Sequence, residues 1–183
     1  MSSITVRPAQ PERDAAAVAR VYGGFVATSA ATFEEVPPGA DEMAARMSRI
    51  LVRHPWLVAE AGTDGVVGYA YASQMRERAG YRWSAEISAY VGAAWHGRGV
   101  GAALYGELLR ILRREGIVNV YAGIALPNPA SVALHERIGM ERICVYAGVG
   151  FKFGRWHDVA WYGMRLGELP VAPAEPIPFG ELS

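Results

Sequence analysis

Residues 95 to 102 read Trp95-His96-Gly97-Arg98-Gly99-Val100-Gly101-Ala102, and these three alternating glycines constrain the fold more than any other stretch of the chain. The residues before them, Ser84 to Val91, alternate with a period of two. Glu86, Ser88 and Tyr90 fall on one face, and Ile87, Ala89 and Val91 on the other, as in a strand. After them, Leu104, Leu108 and Ile111 recur at helical spacing from Gly101 to about Arg114, and Gly116 supplies the stop. A strand that must turn into a helix through three glycines can aim successive backbone N–H groups at one point. With no Cβ in the way and the positive end of the helix dipole added, that point suits an anion, and a phosphorylated cofactor is its natural occupant.

Gly97-x-Gly99-x-x-Ala102 also satisfies the dinucleotide fingerprint G-x-G-x-x-G/A. That reading asks for an Asp or Glu about 20 residues on, at the end of the next strand. Here the next strand, Ile117 to Ala125, holds no acid. It is followed by a short helix with Asn128 as N-cap, Pro129 at the first helical position and Gly139 at the end. On that helix Asn128, Ser131 and His135 fall at i, i+3 and i+7 and share a face.

Elsewhere Ile4 to Arg7 reads as a strand, Pro11 to about Val26 as a helix with Ala16, Val18, Ala19 and Tyr22 inward, and Ala40 to Val52 as a second helix. Trp56 to Ala61 and Val66 to Ser73 are strands joined by the turn Thr63-Asp64-Gly65. Gln74 to Trp83 is a polar loop with three arginines. Strands near Glu141 to Gly148 and Val159 to Leu166 complete one domain, residues 1–167. A proline-rich tail, residues 168–183, is expected to pack irregularly or to move. The chain has 183 residues, 51% hydrophobic, enough for one sizeable core. Its 18 basic and 18 acidic residues give a formal net charge of +0, which leaves no electrostatic footprint for nucleic acid or an anionic membrane and favours a small-molecule partner. A single cysteine, Cys144, an N-terminus without a basic and apolar signal, and the lack of any run near ~20 apolar residues predict a cytoplasmic location.

At the glycine turn the chain resembles the GNAT-type N-acetyltransferases, whose acetyl-CoA motif is Gln/Arg-x-x-Gly-x-Gly/Ala. The motif stands here as His96-Gly97-Arg98-Gly99-Val100-Gly101, with histidine at the first position. Four blocks narrow the resemblance to the phosphinothricin and methionine sulfoximine acetyltransferase subfamily: Thr32-Phe33-Glu34, Pro55-Trp56-Leu57-Val58-Ala59-Glu60, Asn128-x-x-Ser131-x-x-Leu134-His135-Glu136 and Lys152-Phe153-Gly154-Arg155-Trp156-His157-Asp158. The resemblance extends over most of residues 4 to 166. The resemblance implies an α/β (α+β) GNAT fold: a central mixed, mostly antiparallel sheet splayed between strands four and five, helices on both faces, and the pantetheine entering the gap like a missing strand. It implies acetyl-CoA as co-substrate, no metal, and a homodimer, for which the aromatic segment Phe151 to Tyr162 is a candidate contact.

Acyl transfer from a thioester to an amine needs a base for the amine proton and an acid for the departing thiolate. Glu86 is the candidate base, because it lies on the strand that leads into the turn. The residues alone leave open whether it is instead a solvated charge or a partner of Arg76 or Arg78. The resemblance favours the catalytic role. His135 stands where many relatives of this fold carry a tyrosine near the sulfur, so it is the candidate acid. Tyr105 is the reserve, although a core aromatic is the plainer reading of it. Cofactor contacts are expected from Ala89, Tyr90, Val91, His96, Gly97, Arg98, Gly99, Val100, Gly101, Ala102, Asn128 and Ser131. Substrate contacts are expected from Phe33, Glu34, Met75, Arg76, Glu77, Arg78, Tyr81, Glu86, Ile87 and Ser88, with Arg76, Arg78 and Arg82 as a clamp for a carboxylate or phosphinate. The expected reaction is acetylation of the α-amine of phosphinothricin, methionine sulfoximine or methionine sulfone in a ternary complex. The alternatives are another amine, such as a protein N-terminus or a polyamine, and a non-catalytic acyl-CoA-binding module.

Overall fold

Burial along the middle strands is continuous rather than alternating, since a sheet covered on both faces leaves no solvated side. The computed structural model describes residues 4–182. Its elements are β1 (Ile4–Pro8), α1 (Pro11–Thr28), α2 (Ala40–Leu51), β2 (Trp56–Ala61), β3 (Val66–Gln74), β4 (Ser84–Val91), α3 (Val100–Glu115), β5 (Asn119–Ala125), α4 (Pro129–Arg137), β6 (Glu141–Lys152) and β7 (Arg155–Arg165). Among the described residues these strands make one seven-stranded sheet in the order β1-β2-β3-β4-β5-β7-β6. All neighbours are antiparallel except β4 and β5.

Leu57 and Ala59 face α3, whose Leu104, Leu108 and Leu112 are fully buried, whereas Trp56 and Val58 face α1 and α2. The inward stripe of α1 is Ala15, Val18, Tyr22 and Val26; Ala16, expected inside, is exposed one position off that stripe. Met43 and Met47, one turn apart, bury α2.

The parallel pairing of β4 and β5 is short. It holds Ser84 against Asn119, Ala85 against Val120 and Glu86 against Tyr121, and ends there. Below it, the Trp83 carbonyl accepts from the N–H groups of Val118 and Asn119, at 2.9 and 3.1 Å. Beyond Glu86 the strands part, because β5 keeps its full register with β7 as far as Ala125 while β4 stays with β3 as far as Val91. The expected splay is therefore present.

Two strands are longer than their sequence pattern suggests. β6 runs to Lys152 and β7 starts at Arg155, where the sequence reading stops at Gly148 and restarts at Val159. Phe153 (φ 51°) and Gly154 (φ 74°) form the two-residue turn, both left-handed as a hairpin of this length demands. Register shifts at Arg142/Cys144 and Tyr146/Gly150 break the alternation that would reveal the strand in sequence. The tail, as far as Leu182, lies irregularly against the domain: Trp83 donates to Ala174 O at 2.7 Å, Arg82 pairs with Glu175 at 2.6 Å, and Phe179 and Leu182 pack on the core.

Candidate active site

The parting of β4 from β5 opens a cavity of about 470 Å³, walled by Ile87 to Val91 on one side and Gly123 to Ala125 on the other. Its mouth is the glycine turn. Gly97 (φ 71°) and Gly99 (φ 81°) are both left-handed, and Gly99 is the N-cap of α3, so the unpaired N–H groups of the helix's first turn stand at the cavity. Gly101 has a different task. A Cβ there would come within 2.9 Å of Leu134 Cδ2, so the third glycine lets α3 and α4 approach each other.

Of the expected cofactor residues, Ala89, Tyr90, Val91, His96, Gly97, Gly99, Val100, Gly101, Ala102, Asn128 and Ser131 line this cavity. Arg98 does not; its guanidinium lies over the Trp95 ring, 4.9 Å from the centroid. The His96 ring nitrogen Nε2 lies 2.7 Å from Val91 O, tying the turn to the end of β4. Asn128 Oδ1 accepts from the Ser131 N–H at 3.1 Å and caps α4, which turns the shared face of Asn128, Ser131 and His135 into the cavity.

Glu86 occupies the last paired position before the strands separate, at the vertex of the splay. Its carboxylate is half-buried, and burial raises its pKa against the smaller opposing pull of Arg76. Among the described residues none donates a hydrogen bond to it. Glu86 itself lines neither the cavity between β4 and β5 nor the one on the α1/α2 face of the sheet; the next residues of its strand, Ile87 and Ser88, line the former. A desolvated carboxylate at that position has the properties of a proton acceptor.

At the far wall, His135 and Tyr105 are both buried. His135 Nδ1 lies 2.7 Å from Ser131 O, a carbonyl that can only accept, so Nδ1 carries the proton. Nε2 then accepts from the Tyr105 hydroxyl at 3.0 Å. Burial lowers the pKa of His135 and raises that of Tyr105, so the neutral imidazole and the phenol prevail. In this tautomer His135 has no proton left to offer a thiolate. The movable O–H belongs to Tyr105, which the sequence reading held in reserve as a core aromatic.

The amine side differs more from expectation. Arg76, Glu77, Arg78 and Tyr81 are exposed, Met75 is half-buried, and none of them lines the cavity. Arg76 donates to Met75 O at 3.0 Å, and Arg82 is held by Glu175 and stacks on Trp83. Ile87 and Ser88 do line it, and Phe33 packs 6.0 Å from the His157 ring. On the α1/α2 face of the sheet a second cavity, of about 460 Å³, has a floor of Trp56, Tyr69 and Tyr71 and a rim of Glu34, Arg46 and Arg49. Trp56 and Tyr71 stack at 4.4 Å. Glu34 accepts from Arg46 at 2.7 and 3.1 Å and from the Tyr22 hydroxyl at 2.8 Å, and the arginine, above all, lowers its pKa. Tyr71 pairs with Ser88 across β3 and β4, so this face is the one that carries Glu86. Trp56, Tyr69, Tyr71, Tyr22 and Arg46 are not singled out as site residues by the sequence, because four separate elements, α1, α2, β2 and β3, must converge before they share a wall.

A family model described as acetyltransferase (GNAT) domain matches residues 9–161. The chain is 38% identical to a phosphinothricin N-acetyltransferase of Streptomyces viridochromogenes, over 93% of this chain and 91% of that one. It is 35% identical to an L-methionine sulfoximine/L-methionine sulfone acetyltransferase of Salmonella typhimurium, over 90% and 96% respectively. In three dimensions it is similar to a GNAT superfamily phosphinothricin acetyltransferase from Sinorhizobium meliloti in complex with AcCoA, with a TM-score of 0.90 and 37% identity across 96% of this chain and 95% of that one.

Proposed function

The chain belongs to the GNAT acetyltransferases and is an acetyl-CoA-dependent N-acetyltransferase, and we propose that it acetylates the α-amine of a small amino-acid analogue such as phosphinothricin, methionine sulfoximine or methionine sulfone. The observation that carries this reading is the position of Glu86 at the vertex of the splay. A thioester entering from the glycine turn between β4 and β5 would end beside that carboxylate, on the sheet face that also holds the second cavity.

The transfer is direct, with both substrates bound. Near neutral pH an aliphatic amine is mostly protonated, so Glu86, its pKa raised by burial, takes a proton and leaves the nitrogen lone pair free to attack the thioester carbonyl. The C–S bond then breaks as the amide forms, and the second proton of the attacking nitrogen goes to the departing sulfur, which leaves as the free thiol. The thiolate, whose parent thiol has a pKa of about 8.5 by analogy with cysteine, receives a hydrogen bond from the Tyr105 O–H, turned from His135 Nε2 toward the sulfur. His135, fixed through Ser131, keeps that hydroxyl at the wall. Gly97, Gly99 and the first turn of α3 hold the pyrophosphate. Phe33, Glu34, Met75, Arg76, Glu77, Arg78, Tyr81, Ile87 and Ser88 remain the proposed amine contacts. Arg46, Arg49 and Tyr71 join them in this proposal, supported by their place on the wall of the second cavity.

A homodimer belongs to the same proposal. It is supported by the exposed apolar side chains of Tyr146, Val149, Phe151, Phe153 and Trp156 on the β6–β7 hairpin. A cytoplasmic site of action is also proposed, in keeping with one free cysteine. Thiol release from acetyl-CoA, followed over a panel of α-amino acids, their sulfoximine and phosphinate analogues, polyamines and an N-terminal peptide, tests the substrate assignment. The analogues should give the highest kcat/KM. Preference for the peptide or a polyamine would overturn it.

A further inference from the structure

Lys152, the last residue of β6, is 4% exposed. Its Nζ donates three hydrogen bonds, to Val26 O at 2.8 Å, Ser29 O at 3.0 Å and Thr32 O at 2.9 Å. An ammonium has three protons, and all three end on carbonyls. Val26 stands in the last turn of α1, whose carbonyls have no helical partner and whose dipole favours a cation. That last turn contains no basic residue of its own, so the cation arrives from a distant strand.

The consequence lies in residues 29 to 34. With the Thr32 carbonyl held, Thr32 Oγ1 lies 2.7 Å from the Tyr22 hydroxyl and accepts from the Glu34 N–H at 3.2 Å, while the same tyrosine donates to Glu34. The Phe33 ring rests on the bare backbone of Gly150, where any Cβ would overlap it. This loop is the partition between the two cavities: Ala31 lines the first and Glu34 the second. The hairpin that holds it is also joined to the cofactor side. His157 Nε2 lies 3.1 Å from Lys152 O, and the Asp158 carbonyl accepts from the Leu126 N–H at 2.8 Å, just ahead of α4.

We infer that Lys152 is a positioning residue for the amine substrate: by pinning the 29–34 loop it sets the distance between the amine pocket and the thioester. The inference rests on the proposed acetylation of a small amine. It gives the Lys152-Phe153-Gly154 turn a purpose beyond closing a hairpin. No bond is made or broken at the lysine, and it need not touch either substrate.

Lys152→Met removes the three donors but keeps an apolar stem of similar length. Steady-state kinetics on the purified variant should show an amine KM raised about tenfold or more, the worth of a lost charge-assisted hydrogen bond, with the acetyl-CoA KM unchanged. A role confined to stability would lower Tm and the active fraction and leave both KM values alone, which would overturn the inference. Gly150→Ala, which displaces the Phe33 ring without touching the buried charge, should raise the amine KM in the same selective way, and it serves if Lys152→Met does not fold. An unchanged amine KM in whichever variant folds refutes the positioning role. A parent protein that acetylates no small amine refutes the proposed function instead.

Discussion

Replacing Glu86 with glutamine preserves the shape of the side chain and removes the proton acceptor. A positioned base is worth about 10²–10⁴-fold in rate. At 1.36 kcal/mol per tenfold, kcat/KM at neutral pH should carry a barrier about 3–5 kcal/mol higher. Stability should move the other way. The carboxylate is half-buried, burial raises its pKa, and no described residue donates a hydrogen bond to it, so the charged form is an expense to the folded state. The sign follows from linkage: with the folded pKa raised above the ordinary carboxylate value of 4.5, the contribution of Glu86 is fully favourable below that value and declines as pH rises through the folded pKa. Glu86→Gln abolishes the decline, so Tm at neutral pH should rise. The acid limb of the kcat/KM profile, set in the parent by this raised pKa, should vanish in the variant. Thiol-release kinetics across pH, with calorimetry on the same samples, measure both effects. A near-normal rate with an unshifted profile would refute the base assignment, and a lost rate accompanied by a lower Tm would reduce Glu86 to a structural residue.

Gly99→Val places a β-branched residue at φ 81°, at a strain of about 1–3 kcal/mol, and puts a side chain in the phosphate approach. Titration calorimetry should find acetyl-CoA affinity severely weakened in a protein that still folds. Tyr105→Phe leaves His135 Nε2 without its donor, which should cost about 1–3 kcal/mol of stability by chemical denaturation and slow turnover with acetyl-CoA affinity intact. His135, its pKa held below the ordinary imidazole value of 6.5 by burial, contributes stability that is complete above 6.5 and is lost as pH falls through the lowered folded pKa. His135→Gln should remove that acid-side loss from the melting curves.

Elements with a clean period were legible in sequence. β4 has the boundaries its alternation predicts, β2 those read from its apolar run before the Thr63-Asp64-Gly65 turn, and α3 lies within a residue of its apolar stripe and glycine stop. The glycine turn and the cap of α4 were legible for the same reason, since Gly97, Gly99 and Asn128 act through local chemistry that tertiary contacts do not alter. The wall of the second cavity was legible only at Glu34. Arg46, Tyr71 and Lys152 come from other elements, and only the closed sheet brings them around the loop that carries it. The loop arginines looked suited to a clamp by composition, but Arg82 is taken by a glutamate of the tail, 93 residues away in sequence. The β6–β7 hairpin was cut short in the sequence reading because Phe153 accepts a left-handed conformation usually left to glycine or asparagine. The proton of His135 could not be located from sequence at all, because it depends on the direction of the Ser131 carbonyl.

The central claim is that the splay between β4 and β5 brings thioester and amine together for direct transfer. An initial-velocity matrix in both substrates, paired with the intact mass of the protein after exposure to acetyl-CoA alone, tests it most directly. The account predicts intersecting lines and an unmodified chain, with one equivalent of free thiol released per N-acetyl product only when amine is present. Parallel lines together with an acetylated protein that passes its acetyl group to amine would contradict it.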